Sequence, residues 1–417
     1  MPTRLFVNAS QVVTCAGPPR ARRGSELRDA GILRNAAVAV TDGRIAAVGA
    51  LDELSRRHPD AERVDCGGGV LMPGLVDSHT HAIFGKPRHE EQELRAAGLD
   101  YMEIARRGGG IHASVRDLRS RSEDELVALA LPRLRRLAEY GTTTVEVKSG
   151  YGLTVEDELK SLRAIQRLAR LTPLRLVPTF LGAHEIPLEA RAAPEMRADY
   201  VGLVVHEMIP RVVAGGLARF ADVFCEPGVF TLDESRAVLS AARAAGLRLK
   251  LHADELRPSG GAELAAELGA TSADHLAAIS SQGIRALASS ETVATLLPGT
   301  MMFLGKERQA PARALVDGGA AVALATDFNP GTSPTPNFPL ILALAVSQLR
   351  LSASEAIVAA TVNGAAALAL AHEVGQLAPG YSADLALFDI EDVRELPYWY
   401  GDRRCRATWV RGEPCAA

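Results

Sequence analysis

The chain has 417 residues, of which 47% are hydrophobic and 23% charged. This length and balance exclude an intrinsically disordered chain and allow one large domain accompanied by a smaller one. The formal net charge is −4, with acidic and basic residues interspersed. The sequence therefore predicts a small-molecule substrate, and it predicts neither a nucleic acid nor a membrane as partner.

The cysteines and the N-terminus indicate a reducing compartment. Five cysteines are scattered without a Cys-x-x-Cys pair, which disfavours a disulfide framework and a zinc knuckle. Residues 1–15 mix polar with apolar side chains, unlike a secretory signal, so we expect a cytoplasmic protein. Two Ala-rich stretches, 340–346 and 356–371, are interpreted as buried helices, because the first is too short to cross a membrane and the second contains polar residues.

The two ends of the chain have the sequence pattern of short strands. Near the N-terminus, Ala36–Val40 and Ile45–Val48 are joined by Asp42-Gly43, a typical hairpin turn. Residues 383–412 show similar short apolar runs. Neither flank is long enough to bury its own core easily. We therefore predict one small β-sandwich-like domain built from residues 1–67 and 373–417, beside a central domain of residues 68–372.

The central residues alternate short apolar runs with helical patterns. A capping box at Ser122–Glu125 opens one helix, and apolar residues recur every three or four positions after Thr154. This alternation predicts an α/β protein with a (β/α)8 TIM barrel. A doubly wound open sheet is the alternative, but no Gly-x-Gly-x-x-Gly motif follows the first strand. The predicted strands are Leu75–His81, Thr143–Val147, Leu174–Phe180, Asp222–Cys225, Leu247–Leu251, Ser272–His275, Thr292–Leu297 and Ala321–Thr326.

Histidines and an aspartate stand at the C-terminal ends of these strands, the end that carries catalytic groups in barrel enzymes. In an extended strand, His79 and His81 point to the same face and can converge on one cation. His252, His275 and Asp327 follow later strands in the same way. Such a nitrogen- and oxygen-rich set without thiolate predicts a zinc or non-haem iron site.

Several longer motifs sharpen this interpretation. They are His79-Thr80-His81, His252-Ala253-Asp254-Glu255, Ser272-Ala273-Asp274-His275 and the segment 325–332, and together they resemble the metal-dependent amidohydrolase superfamily. Over nearly its whole length the sequence is similar to the imidazolonepropionase family of histidine degradation. The narrower motifs are Tyr101-Met102-Glu103-Ile104, Gly108-Gly109-Gly110-Ile111-His112, Lys148-Ser149-Gly150-Tyr151-Gly152, the segment 179–184 and Phe224-Cys225-Glu226.

The resemblance implies an activity and a metal-ligand set. The expected reaction is hydrolysis of the cyclic amide bond of 4-imidazolone-5-propanoate, which gives N-formimidoyl-L-glutamate. One divalent zinc or iron ion per subunit would be bound by four residues, His79, His81, His252 and Asp327. Glu255 would contact the ring and move a proton to the departing nitrogen, and His275 would orient or deprotonate the water. The sequence does not decide which of these two is the principal base. A homodimer is a further family expectation.

The propionate tail requires a cationic partner, and a guanidinium binds a carboxylate bidentately. Arg88 matches that role, although the residues around it, from Lys86 to Gln92, depart from the family pattern. Lys148 could be carboxylated to bridge two metal ions, but the four predicted ligands favour a simple hydrogen-bonding lysine. The substrate-binding residues implied by the resemblance are Arg88, Tyr151, His184, Glu255, Asn329, Gly331 and Thr332.

Two alternatives come from other functional classes. An amidohydrolase-fold ring deaminase would use similar ligands, but a neutral base offers no carboxylate to Arg88. A non-catalytic scaffold with a degenerate site would not need the intact ligand set, and its purified form would lack stoichiometric metal.

Overall fold

The structure is a computed structural model, and it describes residues 3–99, 103–104, 107–191 and 193–415. Tyr101 and Met102, which open one of the narrower sequence motifs, lie outside the described residues.

Eight parallel strands follow one another in chain order in a single sheet. Neighbouring strands are in parallel register, so that His252 lies beside Asp274 and Ala253 beside His275. The predicted barrel is confirmed, with most strand ends shifted by one to three residues. The strands are Leu75–Asp77, Thr142–Lys148, Arg175–Ala183, Phe220–Cys225, Arg248–Ala253, Ser272–His275, Val293–Leu296 and Val322–Leu324.

The first and eighth strands meet beyond their regular ends. Asp77 accepts hydrogen bonds from the Thr326 backbone N–H at 3.0 Å and from its hydroxyl at 2.6 Å. The Asp327 N–H donates to the His79 carbonyl at 3.0 Å, and the His81 N–H donates to the Phe328 carbonyl at 2.9 Å. We call these contacts between residues 77–81 and 326–328 the seam. The prediction that the first strand continues to His81 is wrong, because regular pairing ends at Asp77 and the seam holds the histidines instead.

Helices cover the outside of the barrel. The capping box at Ser122 is confirmed, since its hydroxyl accepts the Glu125 N–H and the Glu125 carboxylate accepts the Ser122 N–H. The main helices after successive strands are Glu90–Ala96, Ile111–Arg119 and Glu123–Ala138; Val155–Leu171; Pro194–Leu203 and Ile209–Ala214; Leu232–Ala244; Gly261–Glu267; Ser281–Ala288; Pro298–Phe303 and Ala312–Asp317; and Phe338–Ser347, Ala353–Val358 and Gly364–Ala366.

None of the helices in the described ranges is long and apolar enough to cross a membrane. The two Ala-rich stretches form helices that pack into the core: most of Phe338–Ser347 and all of the apolar residues of Ala353–Val358 except Ala353 are buried.

Two further sheets are formed by the chain ends. One has four strands in the order Arg44–Ala50, Ala36–Thr41, Arg4–Val7 and Glu62–Asp65, with a short helix at Leu51–Arg57. The other joins both termini, in the order Glu413–Pro414, Cys405–Val410, Leu385–Phe388, Val70–Pro73, Gln11–Val13 and Ile32–Leu33.

One apolar cluster connects these two sheets. Phe6 from the N-terminal sheet meets Trp409 edge to face, with ring centroids 5.1 Å apart, and both belong to a cluster that also contains Val38 and Leu385. The predicted hairpin is confirmed, and its turn residues Asp42 and Gly43 have positive φ, as a tight hairpin turn requires. The two ends of the chain therefore share a core beside the barrel.

Candidate metal centre

Three histidines converge at the mouth of the barrel. The Nε2 atom of His81 lies 3.3 Å from that of His79 and 3.4 Å from that of His252. Asp327 Oδ1 lies 3.6 Å from the Nε2 atoms of both His79 and His81. All four side chains are buried. The structure thus brings together the four residues that the sequence predicts as metal ligands.

This cluster fits a metal ion on chemical grounds. Ligands about 2.0–2.1 Å from a tetrahedral ion lie roughly 3.3 Å apart, close to the separations here. His79 Nδ1 lies 2.7 Å from Asp274 Oδ2, which places the ring proton on Nδ1 and directs the lone pair of Nε2 into the cluster. Burial, and after it the charge of Lys148, lowers the pKa of His79 well below its ordinary value, and burial chiefly does the same for the pKa of His81. Neutral imidazoles with facing lone pairs are the form that a cation requires.

Carboxylates behind the histidines hold the rings. Asp274 contacts His79, as described, and Asp222 Oδ2 lies 2.9 Å from His252 Nδ1. Asp222 Oδ1 also accepts the backbone N–H of His252 at 3.2 Å. Such partners orient a ligating imidazole and raise its basicity.

Two lysines are completely buried beneath these carboxylates. Lys148 Nζ lies 2.7 Å from Asp222 Oδ2 and 2.8 Å from Glu146 Oε2. Lys250 Nζ lies 3.1 Å from Glu146 Oε2 and 3.6 Å from Asp274 Oδ2. Although burial alone would lower it, the nearby carboxylates raise the pKa of Lys148 above its ordinary value. Lys148 is therefore a charged ammonium in an ion-pair network, which agrees with the hydrogen-bonding role expected for it.

Asp327 is fixed by its own loop and by a neighbouring helix. Thr300, in the helix Pro298–Phe303, donates its hydroxyl to Asp327 Oδ2 at 2.6 Å. This leaves Oδ1 facing the histidines. Burial raises the pKa of Asp327 to about 6. Asp327 has φ of +52° and His275 φ of +78°, sparsely populated values for residues other than glycine. Backbone strain of this kind is concentrated at functional sites.

Glu255 and His275 face each other next to the cluster. His275 Nε2 lies 3.5 Å from Glu255 Oε2, and the His275 ring lies 5.3 Å from that of His79 between centroids. Burial, followed by the negative charges of Asp327 and Glu226, raises the pKa of Glu255 well above its ordinary value. Burial also lowers the pKa of His275 well below its ordinary value. Two buried titratable side chains with shifted pKa values therefore lie side by side next to the four predicted metal ligands.

Aromatic rings flank the other side of the cluster. His184 stacks on His81, with centroids 4.9 Å apart and planes at 17°. Tyr151 lies 5.3 Å from His184 and 5.9 Å from His81 between ring centroids. The His184 Nδ1 atom is 2.9 Å from the Gly150 carbonyl, which fixes the ring. Both predicted substrate-binding residues therefore lie beside the predicted metal ligands.

Arg88 is buried against the loop that follows Asp327. Its backbone N–H donates to the Pro330 carbonyl at 3.3 Å, and its guanidinium lies against Gly331. In that loop, the Asn329 amide oxygen accepts the N–H groups of Gly331 at 2.8 Å and Thr332 at 2.7 Å. Asn329 Nδ2 donates to the Asp327 carbonyl at 2.7 Å. The Asn329 amide thus makes hydrogen bonds within its own loop, and these bonds hold the loop against the Arg88 guanidinium.

Sequence reasoning gave no role to several residues of this site. They are Glu146, Asp222, Lys250, Asp274, Thr300 and Glu91, and each contacts a predicted site residue or the buried network. A signal was available for some of them: Glu146 and Lys148, like Lys250 and His252, are polar residues two positions apart with an apolar residue between them in a strand. Such residues share one face of a strand, here the interior of the barrel.

Comparison with known proteins agrees with the geometry. The model of the amidohydrolase family matches residues 98–416, which is most of the chain. Among solved structures, guanine deaminase from E. coli superposes with a TM-score of 0.74 over 99% of both chains at 16% identity. An adenosine deaminase from Xanthomonas campestris superposes with a TM-score of 0.73 over 99% of this chain and 92% of that chain, at 18% identity. The fold is shared with these enzymes, and the chain belongs to the amidohydrolases.

Relatives of known name narrow the family further. The imidazolonepropionase of Symbiobacterium thermophilum is 50% identical over 95% of this chain and 93% of its own length. The imidazolonepropionase of Geobacillus kaustophilus is 48% identical over 95% of this chain and 94% of its own length. A model described as the imidazolonepropionase-like composite domain of bacteria also matches residues 36–61. This chain is a member of the imidazolonepropionase family.

Proposed function

We infer that the protein hydrolyses the cyclic amide of 4-imidazolone-5-propanoate. Water adds to the ring carbonyl, the bond from that carbon to the ring nitrogen breaks, and N-formimidoyl-L-glutamate is released. Family membership supports this reaction, and the observation that carries it is the convergence of His79, His81, His252 and Asp327 at the mouth of the barrel.

These four residues would bind one divalent ion. Three imidazoles and one carboxylate suit either zinc or iron, and we propose one of these two per subunit. When bound, such an ion lowers the pKa of a water molecule and polarises an amide carbonyl.

Glu255 and His275 would carry out the two proton transfers of the reaction. Burial lowers the pKa of His275, so its ring is neutral and would accept a proton from the attacking water. Glu255, 3.5 Å away, would supply a proton to the ring nitrogen as its bond to carbon breaks. Because that nitrogen is a poor leaving group as an anion, its protonation is required for the ring to open.

The other predicted residues would hold the substrate. Tyr151 and His184 would flank the ring beside the cluster, Arg88 would bind the propionate, and the segment Asn329, Gly331 and Thr332 would form the wall between tail and metal. We also propose, from the family resemblance, a cytoplasmic homodimer, which sedimentation and cell fractionation would test.

The test is a coupled assay. Urocanate and its hydratase generate the unstable imidazolone in place, and its absorbance is followed with purified protein, chelated protein and chelated protein supplied again with zinc or ferrous iron. We expect metal-dependent loss of absorbance and formation of N-formimidoyl-L-glutamate, detected by mass spectrometry. Loss no faster than spontaneous decay would contradict the assignment, and a deaminase assay with aminated rings would then follow.

A further inference from the structure

Glu226 is a buried carboxylate that follows the fourth strand of the barrel. Cys225, the last residue of that strand, lies beside Ala253 at the end of the fifth strand. Glu226 therefore stands next to the loop that leaves the fifth strand and carries Glu255. It is only 3% exposed, and a carboxylate that is removed from water in this way needs polar partners.

The partners of Glu226 are backbone N–H groups of that loop. Its Oε2 accepts the N–H of Leu256 at 3.2 Å, and its Oε1 accepts the N–H of Arg257 at 2.9 Å. The Glu226 carbonyl accepts the N–H of Val229 at 2.9 Å, which fixes the backbone from which the side chain extends. Because both side-chain oxygens accept, a carboxylate fits this place, whereas a carboxamide offers one acceptor oxygen and would turn its NH₂ group towards an N–H.

Asp254 holds the other end of the same loop. Its Oδ1 accepts the N–H of Ser259 at 2.6 Å and that of Gly260 at 3.0 Å, and its Oδ2 accepts the N–H of Ala262 at 2.9 Å. Asp254 also has φ of +50°, so the chain turns sharply as it leaves the strand. Residues 254–262 are thus folded back onto the first residue of the loop.

These contacts enclose Glu255 from both sides along the chain. Asp254 precedes it and residues 256–257 follow it, and each of these neighbours is held by hydrogen bonds. The Asp254 carbonyl also accepts the N–H of Ala278 at 2.6 Å, which ties the loop to the chain just after His275. The backbone on either side of Glu255 is therefore fixed where its carboxylate lies 3.5 Å from His275 Nε2.

We propose that Glu226 is a positioning residue: together with Asp254 it holds residues 254–262 so that the Glu255 carboxylate faces His275, and kcat depends on Glu226 through Glu255. The proposal rests on the proposed function, because that function gives Glu255 its proton transfer.

The first test compares Glu226→Gln with the wild type in the coupled assay and by metal analysis. Since a displacement of about 1 Å at a catalytic group can cost 10²-fold in rate, we expect kcat to fall roughly 10- to 100-fold, with little change in KM or metal content. In a Glu255→Gln background, Glu226→Gln should lower kcat no further. Glu355→Gln is the matched control, because Glu355 is also buried and accepts the N–H of Ser352 at 2.8 Å, but its ion-pair partner is Arg313.

The second test follows the loop itself and needs no turnover. Hydrogen-exchange mass spectrometry should show slow exchange at residues 256 and 257 in the wild type and in Glu355→Gln, and faster exchange in Glu226→Gln. Ser259→Ala removes a hydroxyl that donates to Asp254 at 3.0 Å and changes no charge. It should loosen the same loop and lower kcat in the same way, so the test can be completed even if Glu226→Gln does not fold.

Three results would overturn the proposal. They are a wild-type kcat in Glu226→Gln, a loss of kcat from Glu226→Gln that is as large in the Glu255→Gln background as in the wild type, and, where only Ser259→Ala folds, wild-type kcat and exchange in that variant.

The outcomes also separate this proposal from the function on which it rests. If the wild type does not accelerate loss of the imidazolone but Glu226→Gln selectively speeds exchange at residues 256 and 257, the reaction is wrong and the positioning of the loop holds. If the wild type turns over the imidazolone and Glu226→Gln matches it in kcat and exchange, the positioning role is wrong and the reaction holds. No turnover and no change in exchange would overturn both.

Discussion

His79 and Asp274 are joined by a contact of 2.7 Å between Nδ1 and Oδ2, and both side chains are completely buried although 195 positions separate them in the chain. The carboxylate determines which ring nitrogen carries the proton. The other nitrogen, Nε2, then points its lone pair at the other predicted metal ligands.

Asp274→Asn should therefore weaken metal binding. The amide can donate a hydrogen bond to Nδ1 and so favour the wrong tautomer. We expect zinc affinity, measured by competition with a chromogenic chelator, to fall roughly 10- to 100-fold. Asp199→Asn, an exposed change on the helix Pro194–Leu203, should leave affinity unaltered. Wild-type affinity in Asp274→Asn would show that the ring is oriented by other contacts.

Lys148→Met should destabilise the fold. The substitution removes the ammonium that lies between Asp222 and Glu146 and leaves excess negative charge at a site that water does not reach. Breaking a buried ion pair by removing one partner costs about 3–5 kcal/mol of unfolding free energy. Urea unfolding followed by circular dichroism measures the loss, with the exposed Lys306→Met as control. A midpoint equal to that of Lys306→Met would contradict the expectation.

Glu255→Gln should lower kcat while metal content stays the same. The amide keeps the shape of the side chain but cannot supply a proton to the leaving nitrogen. Loss of a general acid or base typically reduces the rate by about 10²–10⁴-fold. The assay pairs initial rates with metal analysis, and Glu267→Gln, on the surface beside Arg236, is the control. If His275→Gln loses far more activity than Glu255→Gln, His275 is the principal base.

Phe6→Ala should affect stability without changing the chemistry. Phe6 is fully buried against Trp409 in the core shared by the two ends of the chain, and that core contains none of the predicted site residues. Deleting a buried aromatic ring costs about 3–5 kcal/mol. Differential scanning calorimetry should show a lower Tm, and kcat per folded molecule should match the wild type. Tyr398→Ala, at a side chain that is 73% exposed, should leave Tm unchanged, and a lower kcat in Phe6→Ala would contradict the separation of core and site.

The barrel was predictable because local patterns determine it. Most strands are short runs of apolar or β-branched residues bounded by Gly, Pro or polar residues, and the hairpin follows from Asp42-Gly43. The polar residues at strand ends indicated the face that carries the site, and the structure groups His79, His81, His252 and Asp327 there.

The partners of these residues were not predictable from local patterns. Which carboxylate meets His79 depends on register across the barrel, and a single sequence carries no information on pairs as distant as His79 and Asp274. The end of the first strand was placed too late for a related reason, since beyond Asp77 the chain pairs through an isolated bridge between Thr80 and Phe328, which lies after the eighth strand and far away in the sequence. Arg88 and Glu91, by contrast, are only three positions apart, so their pairing is a local one.

A metal ion bound by the predicted ligands would also join the two sides of the seam. His79 and His81 belong to one side of the seam and Asp327 to the other. A single ion bound by all three would therefore link the first and eighth strands where the barrel closes. Ligand binding to the folded state alone stabilises that state, and here the stabilisation would be concentrated on the contacts between residues 77–81 and 326–328. Removal of the metal should then destabilise the seam before the rest of the barrel. Amide hydrogen exchange at residues 77–81 and 326–328 should become faster, while exchange in the middle strands stays slow.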